Sequence, residues 1–117
     1  MGSVDDSAYQ SKTRSTFTTS TGGVMTVEVG AVTGELEAVT RPKERTLEVL
    51  VRYAGAEEWY TVEGSPIVLE NTAGLSSFRL CELHKRVVRH LTVPGAIVNG
   101  NEEPTSLREY SLTIDEG

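Results

Sequence analysis

The sequence predicts an α+β domain, with an antiparallel sheet of four to six strands and one main amphipathic helix, about residues 77–92, packed across it. Three observations predict it. One stretch places apolar residues at helical spacing. Several others alternate apolar and polar residues at strand spacing. The alternating stretches crowd the first half of the chain, while the helix comes once and late. A small β-barrel capped by the helix is the alternative arrangement of the same elements.

The chain has 117 residues, the length of one domain, and a net charge of −6. The acidic balance argues against a general nucleic-acid binder, which normally presents net positive charge. A single cysteine excludes an intramolecular disulfide framework. No apolar run is long enough to span a membrane, and the acidic start has no hydrophobic stretch of a secretory signal. These features predict a cytoplasmic protein.

Residues 1–23 read as a polar tail, rich in Ser and Thr, with Val4, Tyr9 and Phe17 as its bulky apolar side chains. Such a segment buries too little to offset the entropy of ordering it, so a disordered or loosely docked tail is expected. Thr16-Phe17-Thr18-Thr19 is its alternative, an edge strand, because threonine suits a pleated surface. Residues 24–117 form the single folded domain.

Val24 to Val32 alternates. Met25, Val27, Val29 and Ala31 make the row expected to face the core, and Val24, Thr26, Glu28 and Gly30 the row expected to face solvent. Thr33-Gly34 turns the chain, and Glu35 to Thr40 returns antiparallel to that strand. Arg41-Pro42-Lys43-Glu44-Arg45 reads as a charged loop broken by proline. Thr46 to Tyr53 is the strongest strand, with Leu47, Val49, Val51 and Tyr53 in one row. After the turn at 54–57, Glu58 to Glu63 comes back as the second arm of a hairpin.

Trp59 and Tyr60 stand on that arm. Aromatics on a hairpin usually pack across strands, but they are also favoured interface anchors. They are candidate partner-binding residues. Gly64-Ser65-Pro66 kinks the chain before the short apolar piece Ile67 to Leu69.

The helix follows. Leu80, Leu83, Val87, Val88 and Leu91 share one side at about 100° per residue. Ser76 and Ser77 are candidate N-caps, and Pro94 stops the helix because it lacks a donor and forces Val93 out of the α region. The opposite side carries Arg79, Glu82, Lys85, Arg86 and Arg89. A solvated face that complements the helix dipole is the plain reading. Arg79, Lys85, Arg86 and Arg89 are also candidates for meeting an acidic protein surface or phosphates.

His84 is the odd residue. It lies amid the apolar stripe, four after Leu80 and four before Val88. A neutral core histidine with its N–H on a backbone carbonyl is the commoner explanation. A ligand or general base in a pocket between helix and sheet is the sharper one. Cys81, three residues earlier, joins it as a candidate for a thiolate–imidazole pair, against the plain reading of a small buried hydrophobe. A structural zinc site wants four ligands, and the chain has one cysteine and two histidines, with His90 about 120° round the helix from His84. No metal or cofactor is therefore predicted. Phosphate-loop, hydrolase-elbow and calcium-loop patterns do not occur.

After the helix, Asn99-Gly100-Asn101 is a tight turn behind the apolar piece at 96–98. Tyr110, Leu112 and Ile114 alternate as a last strand.

Taken together, the sequence favours a small acidic interaction or regulatory module over an enzyme. It would act on a protein partner or by self-association, through the Trp59/Tyr60 hairpin or the basic helix face. A small-molecule binder or enzyme using His84 and Cys81 is the first alternative, and nucleic-acid binding through the helix face is the second.

Overall fold

A computed structural model describes residues 13–69, 76–108 and 110. The elements in order are β1 (Thr13–Thr18), β2 (Val24–Thr26), β3 (Gly30–Val32), β4 (Glu35–Lys43), β5 (Thr46–Tyr53), β6 (Tyr60–Thr61), β7 (Ile67–Val68), α1 (Ser77–Thr92), β8 (Ile97–Val98) and β9 (Asn101–Glu102). The main sheet runs β1-β4-β5-β6, with β7 also paired to β5, and every pairing is antiparallel. It is an open sheet with one helix across it, the predicted α+β arrangement; among the described residues β1 and β6 do not close a barrel.

Helix α1 spans the predicted residues. The Ser76 side chain accepts the Arg79 backbone N–H at 3.1 Å, which satisfies one orphan donor of the first turn. Val93 is extended at ψ 134°, as the following Pro94 requires. Leu80, Leu83, Val87 and Leu91 are buried against the sheet. The sheet answers with Phe17 of β1, Leu36 and Ala38 of β4, and Leu47, Val49 and Val51 of β5.

Thr13–Thr18 of the polar segment form β1, hydrogen-bonded to β4 in the register Thr13↔Thr40 to Thr18↔Glu35. This strand includes Thr16-Phe17-Thr18, the edge-strand alternative, and Phe17 supplies its apolar anchor at 8% exposure. Residues 1–12 lie outside the described residues.

The stretch 24–32 departs from expectation. It is not one strand but a tight hairpin, β2 paired to β3. Thr26 makes the bend: its hydroxyl accepts from Val29 N–H at 3.2 Å and donates to Gly30 O at 2.6 Å. Gly30 takes φ 77°, a left-handed conformation that glycine adopts without a β-carbon clash. The facing is also reversed. Val24 and Thr26 are buried, while Val27 and Val29 stand at 64% and 53% exposure in the turn. Consequently β4 returns against β1 and β5 rather than against this stretch.

Arg41, Pro42 and Lys43, expected in a loop, complete β4. The reversal is made by the two residues Glu44 and Arg45, with Glu44 at φ 57°. The Thr46–Tyr53 hairpin is present, but its second arm is ordered as a ladder only over Tyr60 and Thr61. Asn99 and Gly100, at φ 54° and 81°, make the predicted tight turn between β8 and β9. The expected strand from Tyr110 to Ile114 falls almost wholly outside the described residues.

The segment after the helix closes the core. Thr105 N–H donates to Gly23 O, Met25 N–H donates to Thr105 O, and Leu107 N–H donates to Glu63 O, all at 2.8–2.9 Å. Leu107 is buried beside Val24 and Val62. Gly64 lets this strap pass: at φ 99° it lies so close to Leu107 and Arg108 that a β-carbon there would overlap their backbone.

Candidate functional site

The hydrogen-bond parity of the sheet sorts its side chains into two faces. Odd-numbered residues of β1, even-numbered residues of β4 and odd-numbered residues of β5 face α1. The opposite rows form the outer face.

On that outer face Arg14, Val39 and Leu50 lie in one cross-strand row. Arg41 pairs with Glu48, Nη2 to Oε1 at 2.8 Å, directly opposite in register. Arg52 pairs with Glu37 in the same way. Trp59, just before β6, brings its ring under the Arg52 guanidinium, with Cζ 4.4 Å from the ring centroid. That is cation–π distance.

Arg14, Val39, Arg41, Leu50 and Trp59 line a hollow of about 270 Å³. Val39 is its floor, only 4% exposed although it sits on the outer face. The floor is apolar, one wall is indole and the rim is cationic. Arg14 is exposed and makes no ion pair among the described residues. Such a hollow can take an apolar or aromatic side chain flanked by carboxylates.

Of the residues singled out from sequence, Trp59 lies in this hollow and Tyr60 does not. Tyr60 faces the other way, half-buried against the core, with its hydroxyl 3.4 Å from the Glu58 carboxylate. Arg14, Arg41 and Arg52 were not among the candidates. Strand parity was the signal that would have found them.

The basic helix residues occupy the other side of the molecule. Lys85, Arg86 and Arg89 line a second hollow of about 270 Å³ with Phe78, Cys81 and Glu82, while Arg79 lies outside it. Phe78 is 72% exposed there. Cys81 is half-buried.

His84 is 3% exposed, at the seam between α1 and the sheet. Its partners are hydroxyls rather than the expected backbone carbonyl. Nε2 lies 2.7 Å from Ser15 Oγ of β1, and Nδ1 lies 2.9 Å from Thr40 Oγ1 of β4. One nitrogen donates and the other accepts, so a neutral ring satisfies both contacts. Burial holds its pKa below the ordinary histidine value of 6.5. His84 lines neither of these two hollows, and Cys81 is not one of its hydrogen-bond partners. His90 stacks on Tyr110 at 4.3 Å between ring centroids, and its Nε2 meets Ser106 O. No group of three or more His, Cys, Asp or Glu residues suited to a metal occurs among the described residues, and no described helix is long and apolar enough to cross a membrane.

Comparison with protein-family models, with curated proteins and with solved structures gave no match.

Proposed function

We propose that this chain is a small non-enzymatic interaction module that grips an acidic segment of a partner protein in the Trp59 hollow. The observation that carries the reading is the lining of that hollow: an indole and two aliphatic side chains beneath the guanidiniums of Arg14 and Arg41, with Arg52 stacked on the indole. An apolar side chain of the partner would fill the floor, and flanking carboxylates would meet the rim. Aromatic and arginine side chains together are the usual anchors of protein interfaces.

The helix face supports the reading less well. Glu82 sits among its cations, and Arg86 is already engaged. A catalytic role for His84 has less support still. Both ring nitrogens are occupied by hydroxyls, and a general base needs a lone pair within reach of substrate.

Trp59 is the single tryptophan, so its fluorescence reports directly on the hollow. The test is titration with a Glu/Asp-rich peptide bearing one central phenylalanine, beside the same peptide with lysine in place of each acid. The acidic peptide is expected to shift the emission, with affinity that falls as salt is added, and Arg41→Glu is expected to abolish the response. Equal silence toward both peptides, or equal response to both, overturns the reading.

A further inference from the structure

The ladder between β1 and β4 fixes which backbone groups of β1 remain for another strand. Thr19 N–H donates to Gly34 O at 3.0 Å, in line with the β1–β4 register. In an antiparallel ladder bonded pairs alternate, so Thr13, Ser15 and Phe17 spend their amides and carbonyls on β4. Arg14, Thr16 and Thr18 then point theirs outward. Among the described residues no strand pairs with that side of β1.

Edges are commonly blunted by charged side chains, lysine above all, by proline, by a bulge or by an inward charge. The edge Thr13-Arg14-Ser15-Thr16-Phe17-Thr18 has no lysine, proline, bulge or inward charge; its one charge is the outward Arg14, which a second copy can answer. It is moreover complementary to itself. A two-fold axis through Thr16 sets Thr16 opposite Thr16 and Arg14 opposite Thr18 of the second copy. All three outward residues of each copy then exchange their backbone bonds, and like charges do not meet.

The side chains carry the match further. Thr18 is in register with Glu35 of β4 on the same outer row. Across the axis, the row Leu50–Val39–Arg14 of one copy would continue into Thr18–Glu35 of the other. Arg14 and Glu35 are both exposed, and neither makes an ion pair among the described residues. Their backbones would stand two strand spacings apart, about 10 Å, a gap that an arginine and a glutamate span between them.

We infer that a second copy of this chain docks on the β1 edge, joining the two sheets into one through antiparallel β1–β1 pairing, with Arg14 of each copy reaching Glu35 of the other. The paired sheet carries two Trp59 hollows on one continuous face.

Sedimentation of the full chain over a concentration series tests this. A monomer–dimer equilibrium is expected. Thr16→Pro removes an outward amide that the folded monomer does not use, so its circular dichroism should be unchanged while dimerisation weakens roughly tenfold or more. Arg14→Glu and Glu35→Arg are each expected to weaken the dimer, and the double exchange to restore it. A purely structural role within one chain would not give that rescue. A chain that stays monomeric into the millimolar range overturns the inference. So does a dimer that Thr16→Pro leaves intact, or a double exchange no better than either single variant.

Discussion

The two faces of the sheet treat polar groups in opposite ways. On the inner face one imidazole sits among leucines and valines, and hydroxyls from two strands take both its nitrogens. On the outer face three guanidiniums stand around an indole, two of them holding half-buried carboxylates and the third, among the described residues, holding none. The inner group is fully satisfied and sealed. The outer groups keep unused hydrogen-bonding capacity facing water. Buried polar groups without partners are costly, so a sealed one is part of the architecture. Exposed ion pairs contribute little to stability, so groups held in them remain available for an incoming ligand.

This contrast makes stability and binding separable. The largest effect belongs to the seam: His84→Ala is expected to lower unfolding free energy by about 2–4 kcal/mol, because it opens a cavity and strands two hydroxyls. Urea denaturation would show it, and Thr40→Val should reproduce a smaller part, about 1–2 kcal/mol. An unchanged midpoint in both would erase the distinction between the faces.

The pH dependence comes next. His84 is held neutral in the folded chain, and burial places its folded pKa below 6.5. As pH falls below that value the unfolded chain takes up a proton that the native chain refuses. Stability is therefore fully present above about pH 6.5 and declines as pH drops through the folded value. Glu28 and Glu102, whose hydrogen bonds hold them below the carboxylate value of 4.5, add their own loss only in more acidic solution. Denaturation midpoints across this range should bend first near neutrality in the wild type, and His84→Gln should remove that first bend.

The smallest effect on stability is expected outside. Trp59→Ala and Arg41→Ala should each change unfolding free energy by about 1 kcal/mol or less, yet both should remove most of the acidic-peptide binding, read by calorimetry because Trp59 is itself the fluorescent reporter. A Trp59 variant that unfolds would place the indole among the structural residues instead.

How far these features were legible depends on range. The helix was legible from its periodicity and its Pro94 stop, both local, while its start was less so, since Ser76 and Ser77 were equal candidates for the cap that Ser76 makes. Strand β5 was legible for the same reason. The stretch 24–32 was not: alternation looks the same whichever row is buried, and the bend is made by Thr26 bonding to Gly30, with valines in the turn. His84 stood out in the sequence, but its partners Ser15 and Thr40 are 69 and 44 residues away. The outer hollow was less visible still. Arg14 came from a segment read as tail, Arg41 from one read as loop, and only the strand order β1-β4-β5 lays them beside Trp59.

The strap at 105–107 has a consequence for how the molecule is made. Val24 is among the first parts of the core to be synthesised, yet it shares that core with Leu107, and Thr105 is bonded to the neighbours of Val24 on both sides. That corner of the core therefore stays uncovered until residues 105–107 have been made, so the fold closes late in synthesis.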